Sequence, residues 1–379
     1  MRKAAARRHP LGVRAVRQPT AAPLSLRESG APAGRGAAKR HMGRSPILLR
    51  FAQKRAPQGR AAKPPAAVHG ENAKHFKGED MKKILVITTG GTIACGSREN
   101  GLTPENGGQR LAEGIVPKNC EVRFLDLFSV DSTDISPAHR KKLNNTINSA
   151  DGFDGIIVLH GTDTLEYTAA ILSITARRDI PVIITGSMIP MEDNNSDAPQ
   201  NLSDAFAAAC TEKLAGVYVV FCGRVIPGNL AVKRSTANDA FRCFSGEEYG
   251  RISNGVASIL KQPAFPQQFP FPNNFVQVAV RKLTPFMRAD ELCANGCCGM
   301  VIEGCGAGGL PDSPELIAAV GALSEKFPVI MTTDCIGGTD LSLYSVGRRA
   351  LGCGIIDGGV MSTAFAAALL FCTQGNFSL

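Results

Sequence analysis

Two short segments concentrate hydroxyl and carboxyl side chains where a folded chain can use them. The first, TTGGTIA at 88–94, directly follows an apolar run; its two glycines allow a tight turn and set Thr92 just beyond the run's end. The second, HGTDTLEYT at 160–168, follows another apolar run and puts Thr162 and Asp163 in the same relation to it. A threonine hydroxyl works as a nucleophile only beside a base or in a strong local field. Phosphate binding is the rival chemistry for a glycine-rich turn, but this turn has neither GxGxxG nor Gly-Lys-Ser/Thr. Blander readings exist for each residue. Thr92 alone could cap a turn, Asp163 with Glu166 matches a helix capping box, and His160, inside a strand end, reads as a packing residue.

Placing those residues together requires a parallel sheet. The runs ILVITT at 84–89, GIIVLH at 155–160, PVIITG at 181–186 and GVYVVF at 216–221 read as buried strands. Helical patterns lie between them at 137–150, 165–177 and 201–213, so strand and helix alternate and the chemistry belongs at the strands' carboxyl ends. The four prolines of PAFPQQFPFPNN predict a linker over 263–274. Beyond it FVQVAVRKL, CCGMVIEG and PVIMTT predict a second domain. The expected fold is therefore α/β, with a larger N-terminal parallel-sheet domain over 81–262 bearing the site at its strand carboxyl ends, and a smaller α/β C-terminal domain over 275–379.

The whole chain of 379 residues carries a net charge of +9, which suggests nucleic-acid or membrane binding until it is divided. Residues 1–80 hold 18 Lys and Arg against 4 Asp and Glu, leaving the remainder at −5. The folded part is acidic, which argues against a phosphate-backbone partner, and no apolar run approaches the ~20 residues of a membrane span. All 12 cysteines lie after Met81 without paired CxxC units, so they predict a reducing, cytoplasmic setting rather than disulfides or zinc. Residues 1–80 lack apolar periodicity and are expected to be disordered. KGEDM at 77–81 can be encoded by a purine-rich ribosome-binding sequence ahead of the Met81 codon. Residues 1–80 are thus expected to be translated upstream sequence, and the functional chain to be 81–379.

With DST at 131–133, TGSMIP at 185–190, SDAPQNLSDA at 196–205 and AVKRST at 231–236, these segments resemble the asparaginase family in content, order and spacing. The resemblance covers residues 82–355, and the cytoplasmic type I branch is the nearer one. It implies that Thr92 is the primary nucleophile, that Thr162 and Asp163 form a second triad with Lys233, and that Ser132 binds the substrate's α-carboxylate beside Asp131 and Thr133. Asp163 would also take the α-ammonium. Lys233 is open to two readings, as the base or as an electrostatic organiser beside Asp163. Oxyanion donors would come from backbone amides of the Thr162 and Ser187 loops.

The implied activity is hydrolysis of L-asparagine to L-aspartate and ammonia, with L-glutamine a side substrate, in a homodimer or homotetramer whose only other partner is the small amino-acid amide. Neither metal nor organic cofactor is called for. Two rivals stand beside it: an asparaginase-like amidotransferase subunit acting on aminoacyl-tRNA, and an inactive asparagine-binding sensor. The chain departs from the family pattern in two places. Leu102 stands where many members have a lid tyrosine, and GGVMSTAFAAALLFCTQGNFSL at 358–379 lacks the usual acid and lysine, its apolar stretch reading as a core helix. Asp340 is the candidate for a contribution to a neighbouring subunit's site.

Overall fold

Residues apolar on both faces of a strand must be covered on both faces. In the computed structural model, which describes residues 81–98, 101–104, 107 and 112–377, that requirement builds a three-layer arrangement. Strands β1 (Lys82–Gly90), β4 (Cys120–Val130), β5 (Gly155–Leu159), β6 (Pro181–Thr185) and β7 (Gly216–Phe221) run parallel in the order β4-β1-β5-β6-β7. Beyond β7 the sheet continues antiparallel through β8 (Arg224–Pro227), β11 (Gly250–Ser253) and β12 (Val256–Ile259). Two hairpins complete this half, β2 (Cys95–Arg98) with β3 (Gly101–Pro104), and β9 (Ala231–Lys233) with β10 (Phe241–Cys243).

Alternate residues of each central strand enter opposite cores. Ile84 and Val86 of β1, with Ile157 and Leu159 of β5, pack with Leu202 and Phe206 of helix α3 (Ala198–Ala209). Leu85, Ile87, Ile156 and Val158 pack on the other face with Leu143 and Ile147 of α1 (Pro137–Asn148) and Leu165 and Leu172 of α2 (Leu165–Thr175). The observed α3 begins three residues before the expected 201, because Pro199 suits a first helical turn whose missing N–H costs nothing.

The second sheet is wholly parallel, in the order β13 (Gln277–Lys282), β14 (Cys297–Gly304), β15 (Val329–Thr333), β16 (Ile356–Asp357), with α4 (Pro314–Ser324) and α5 (Ser345–Gly352) in its connections. This smaller sheet agrees with the α/β expectation for that half. The apolar stretch near the chain's end forms α6 (Thr363–Thr373), whose Phe365 and Leu369 pack with Ile171 and Ile174 of α2 while Ala366 and Leu370 pack with Val301 and Ile330 of the second sheet. It is a core helix between the two sheets. The proline-rich segment 263–274 has no helix or strand, yet it grips the first half. Phe265 meets Tyr218 edge to face at 5.6 Å, and the Phe269 amide donates to the carbonyl of Ile174 at 3.0 Å. The expectations for residues 1–80 and for the Leu102 side chain lie outside what is described. Among the described residues no helix is long and apolar enough to cross a membrane.

Candidate active site

The carboxyl ends of β1, β4 and β5 meet because glycines remove the side chains that would hold them apart. Gly91, at φ 82°, lies so close to the next turn that a Cβ there would stand 2.2 Å from the Cα of Gly161. Only glycine fits both that backbone conformation and that approach. A Cβ on Gly161 would in turn fall 2.7 Å from the Cβ of Ser132. At the next strand end, a Cβ on Gly186 would fall 2.2 Å from the carbonyl oxygen of His160. Thr92, partly exposed, follows Gly91 directly and opens a single 3₁₀ turn.

Thr162, Asp163 and Lys233 are brought together. Lys233 Nζ donates to Thr162 Oγ1 at 2.9 Å and to Asp163 Oδ1 at 2.6 Å. Thr162 is buried, the Lys233 side chain is 17% exposed, and that of Asp163 is 58% exposed, so the carboxylate looks outward from a covered lysine. Lys233 is presented from the end of β9, and its own amide donates to Glu166 Oε2 at 2.7 Å. That bond removes the capping-box reading of Asp163 and Glu166. The N-cap of α2 is Thr164, the Asp163 carboxylate binds Lys233, and Glu166 is turned to the β9 backbone. Burial raises the Glu166 carboxyl above its usual range, opposed by the Lys233 amide.

Ser132 is buried against this group, its Oγ accepting from the amide of Asp163 at 3.2 Å and its carbonyl from Thr164 Oγ1 at 2.6 Å. Asp131 and Thr133 engage each other, Thr133 donating to Asp131 Oδ1 through its amide at 2.8 Å and its hydroxyl at 2.7 Å. Ser187 is fully buried and its hydroxyl donates to the carbonyl of Ile189 at 2.7 Å. His160 is fully buried, with Nδ1 2.7 Å from the carbonyl of Gly161, a geometry that makes Nδ1 the donor. Burial, reinforced by the charge of Arg140 and opposed by that bond, lowers its pKa to about 4. Asp340 accepts from the amide and hydroxyl of Ser342 and thus shapes its own turn. Among the described residues no group of His, Cys, Asp and Glu has an arrangement that could hold a metal ion.

Sequence reasoning missed three supporting residues. Asp197 accepts from the amides of Met188 and Ile189 at 3.0 Å each, and Asn201 donates to the carbonyl of Gly186 at 3.0 Å. Together they hold the loop that follows β6. They lie four apart at the start of α3, a spacing that puts both on one helical face and was visible in SDAPQNLSDA. Glu166 was visible too, but its spacing from Asp163 imitates a cap.

Residues 83–265 match the family described as asparaginase, N-terminal, and residues 277–377 match the glutaminase/asparaginase C-terminal domain. The chain belongs to the asparaginase family. An L-asparaginase of Thermococcus kodakarensis is 35% identical over 306 residues, covering 78% of this chain and 93% of that one. The solved structure of the thermostable L-asparaginase from that organism superposes with a TM-score of 0.71 at 32% identity over the same shares. A glutamyl-tRNA(Gln) amidotransferase subunit of Methanobrevibacter smithii is 29% identical, covering 78% of this chain and 72% of its own length. As an asparaginase-family enzyme this protein is a hydrolase of amides, and its two α/β sheets are those of the family.

Proposed function

We propose that this protein is an L-asparaginase, converting L-asparagine and water to L-aspartate and ammonia, with L-glutamine a side substrate. The observation that carries the reading is Lys233 bridging Thr162 and Asp163 beside the close approach of Gly91 to Gly161, the residues that directly precede Thr92 and Thr162. Thr92 Oγ attacks the side-chain amide carbon. Its proton passes by way of Thr162 to the leaving nitrogen, the C–N bond breaks, and ammonia departs from an aspartyl ester on Thr92. Water then attacks the ester carbon, releasing L-aspartate and restoring the hydroxyl. Lys233 donates to both Thr162 and Asp163, so it acts as the electrostatic organiser that polarises Thr162 Oγ1. Ser132 takes the α-carboxylate and Asp163, the exposed member of the ion pair, the α-ammonium. In the loop after β6 the amides of 188 and 189 already serve Asp197, which leaves that of Ser187 for the oxyanion.

The chain spans 93% of an L-asparaginase relative but 72% of an amidotransferase subunit, which favours a free amino acid over aminoacyl-tRNA as substrate. Eleven described cysteines are free thiols, consistent with work in the cytoplasm. A homodimer or homotetramer is the proposed assembly. Steady-state ammonia release from L-asparagine and L-glutamine tests the reading: release from L-asparagine at the higher kcat/KM is expected, and none from either amide would sink it. Retention of tRNA on a native gel would favour the amidotransferase instead.

A further inference from the structure

Beneath the Ser132 turn lies a partly buried cation. Arg140, one turn into α1, sends its guanidinium between the 132–135 turn and the start of α2. Nε donates to Thr168 Oγ1 at 3.1 Å, Nη2 to Thr164 Oγ1 at 3.1 Å, and Nη1 to the carbonyl of Ile135. All three acceptors are neutral. Of the carboxylates on these segments, Asp131 is committed to Thr133, Asp163 to Lys233 and Glu166 to the Lys233 amide, while Asp134 is exposed to solvent. Among the described residues Arg140 forms no ion pair with an aspartate or glutamate. A charge taken out of water is costly unless another charge answers it. Burial draws the guanidinium down to about 10, which still leaves it cationic at neutral pH.

The contacts lead to one place. Thr164 Oγ1 accepts from Arg140 and donates to the carbonyl of Ser132, whose hydroxyl faces the Asp163 amide. We infer that Arg140 is a positioning residue for the carboxylate end of the site: it clamps the 132–135 turn to α2, and its unanswered charge is met by the anionic end of the bound substrate. The inference rests on the proposed role of Ser132. A clamp alone needs only donors, whereas a guanidinium among neutral acceptors adds a positive potential. That potential favours an amino-acid amide bearing a carboxylate over the same amide without one.

Arg140→Gln, which keeps donors and removes the charge, and Arg140→Lys, which keeps the charge, separate clamp from potential. KM and kcat are measured for L-asparagine. β-Alanine amide, the same molecule without its α-carboxylate, is measured as substrate or competing ligand, and thermal unfolding is followed in parallel. The Gln variant is expected to raise KM for L-asparagine by roughly tenfold or more with a smaller change in kcat, to leave β-alanine amide affinity unaltered, and the Lys variant to recover most of the loss. Equal losses for both ligands in the Gln variant would overturn the charge role while leaving the asparaginase reading intact. Wild-type protein that releases no ammonia from L-asparagine would end that reading first, and this inference with it.

Discussion

The carboxyl ends of the parallel strands in the two sheets carry the same kinds of side chain in different balance. At the first, Lys233 joins a hydroxyl to one carboxylate and is largely covered. At the second, Lys282 Nζ lies 2.9 Å from Glu303 and 2.9 Å from Asp334, with its side chain 57% exposed. Thr363 also donates to Glu303, at 2.7 Å. The two carboxylates, Glu303 foremost, raise the pKa of Lys282 and lock the ammonium form. Here one ammonium meets two carboxylates and the Thr363 hydroxyl is spent on one of them; there, a polarised hydroxyl is left over. Both clusters stand at strand carboxyl ends, and the ratio of carboxylates to hydroxyls around the lysine is what differs between them.

Five measurements test that contrast. Thr92→Ala should lower kcat by three orders of magnitude or more, as expected for a lost covalent nucleophile, with the unfolding temperature nearly unchanged; turnover above about a tenth of wild type would move the nucleophile elsewhere. Lys233→Met should cost roughly 10²–10³ in kcat, since among the described residues Thr162 loses its charged partner and Asp163 its ion pair; a kcat within a few-fold of wild type would erase the distinction drawn between the two lysines. His160 gives a pH signature to the first region. Its folded pKa of about 4 lies below the ordinary 6.5, so the unfolded chain binds the proton first as pH falls. Its contribution is full above about pH 6.5 and is lost towards pH 4, on the order of 3 kcal/mol. Urea unfolding across that window should show a shallower decline in His160→Asn than in wild type, and parallel declines would refute the assignment. Asp163→Asn should remove about 1.5–3 kcal/mol of substrate binding and raise KM, whereas unchanged kinetics would return Asp163 to a structural role. Lys282→Met should leave kcat untouched and shift stability by less than about 1 kcal/mol, as for other exposed pairs; a loss of turnover would show that the second cluster serves the reaction.

The centre of the fold was legible because its strands are apolar on both faces, as in GIIVLH and GVYVVF, and need no partner to be recognised. β4 was not, since Glu121, Arg123 and Asp126 interrupt it and only half its residues need cover. The antiparallel strands β8, β11 and β12 are four residues long, and Gly250 and Arg251 blur their pattern. Within the site, Thr162, Asp163 and Lys233 were readable from motifs, yet 70 residues separate the lysine from its carboxylate and only a resemblance could pair them. Glu166 gave a misleading sign, its spacing from Asp163 imitating a cap, and Arg140 gave none, because an arginine within a helix is an ordinary surface residue until the fold covers it.

The contact between Gly91 and Gly161 is an assembly without clearance. Where two turns meet through side chains, a small displacement is absorbed by a change of rotamer, and each turn drifts independently. Here backbone rests on backbone, so the turn bearing Thr92 and the turn bearing Thr162 share one alignment, set by the pairing of β1 with β5. Wear in that joint cannot be taken up locally. Adjusting the reach of one hydroxyl relative to the other means moving a strand, and the sheet's own stiffness sets the tolerance to which this enzyme is built.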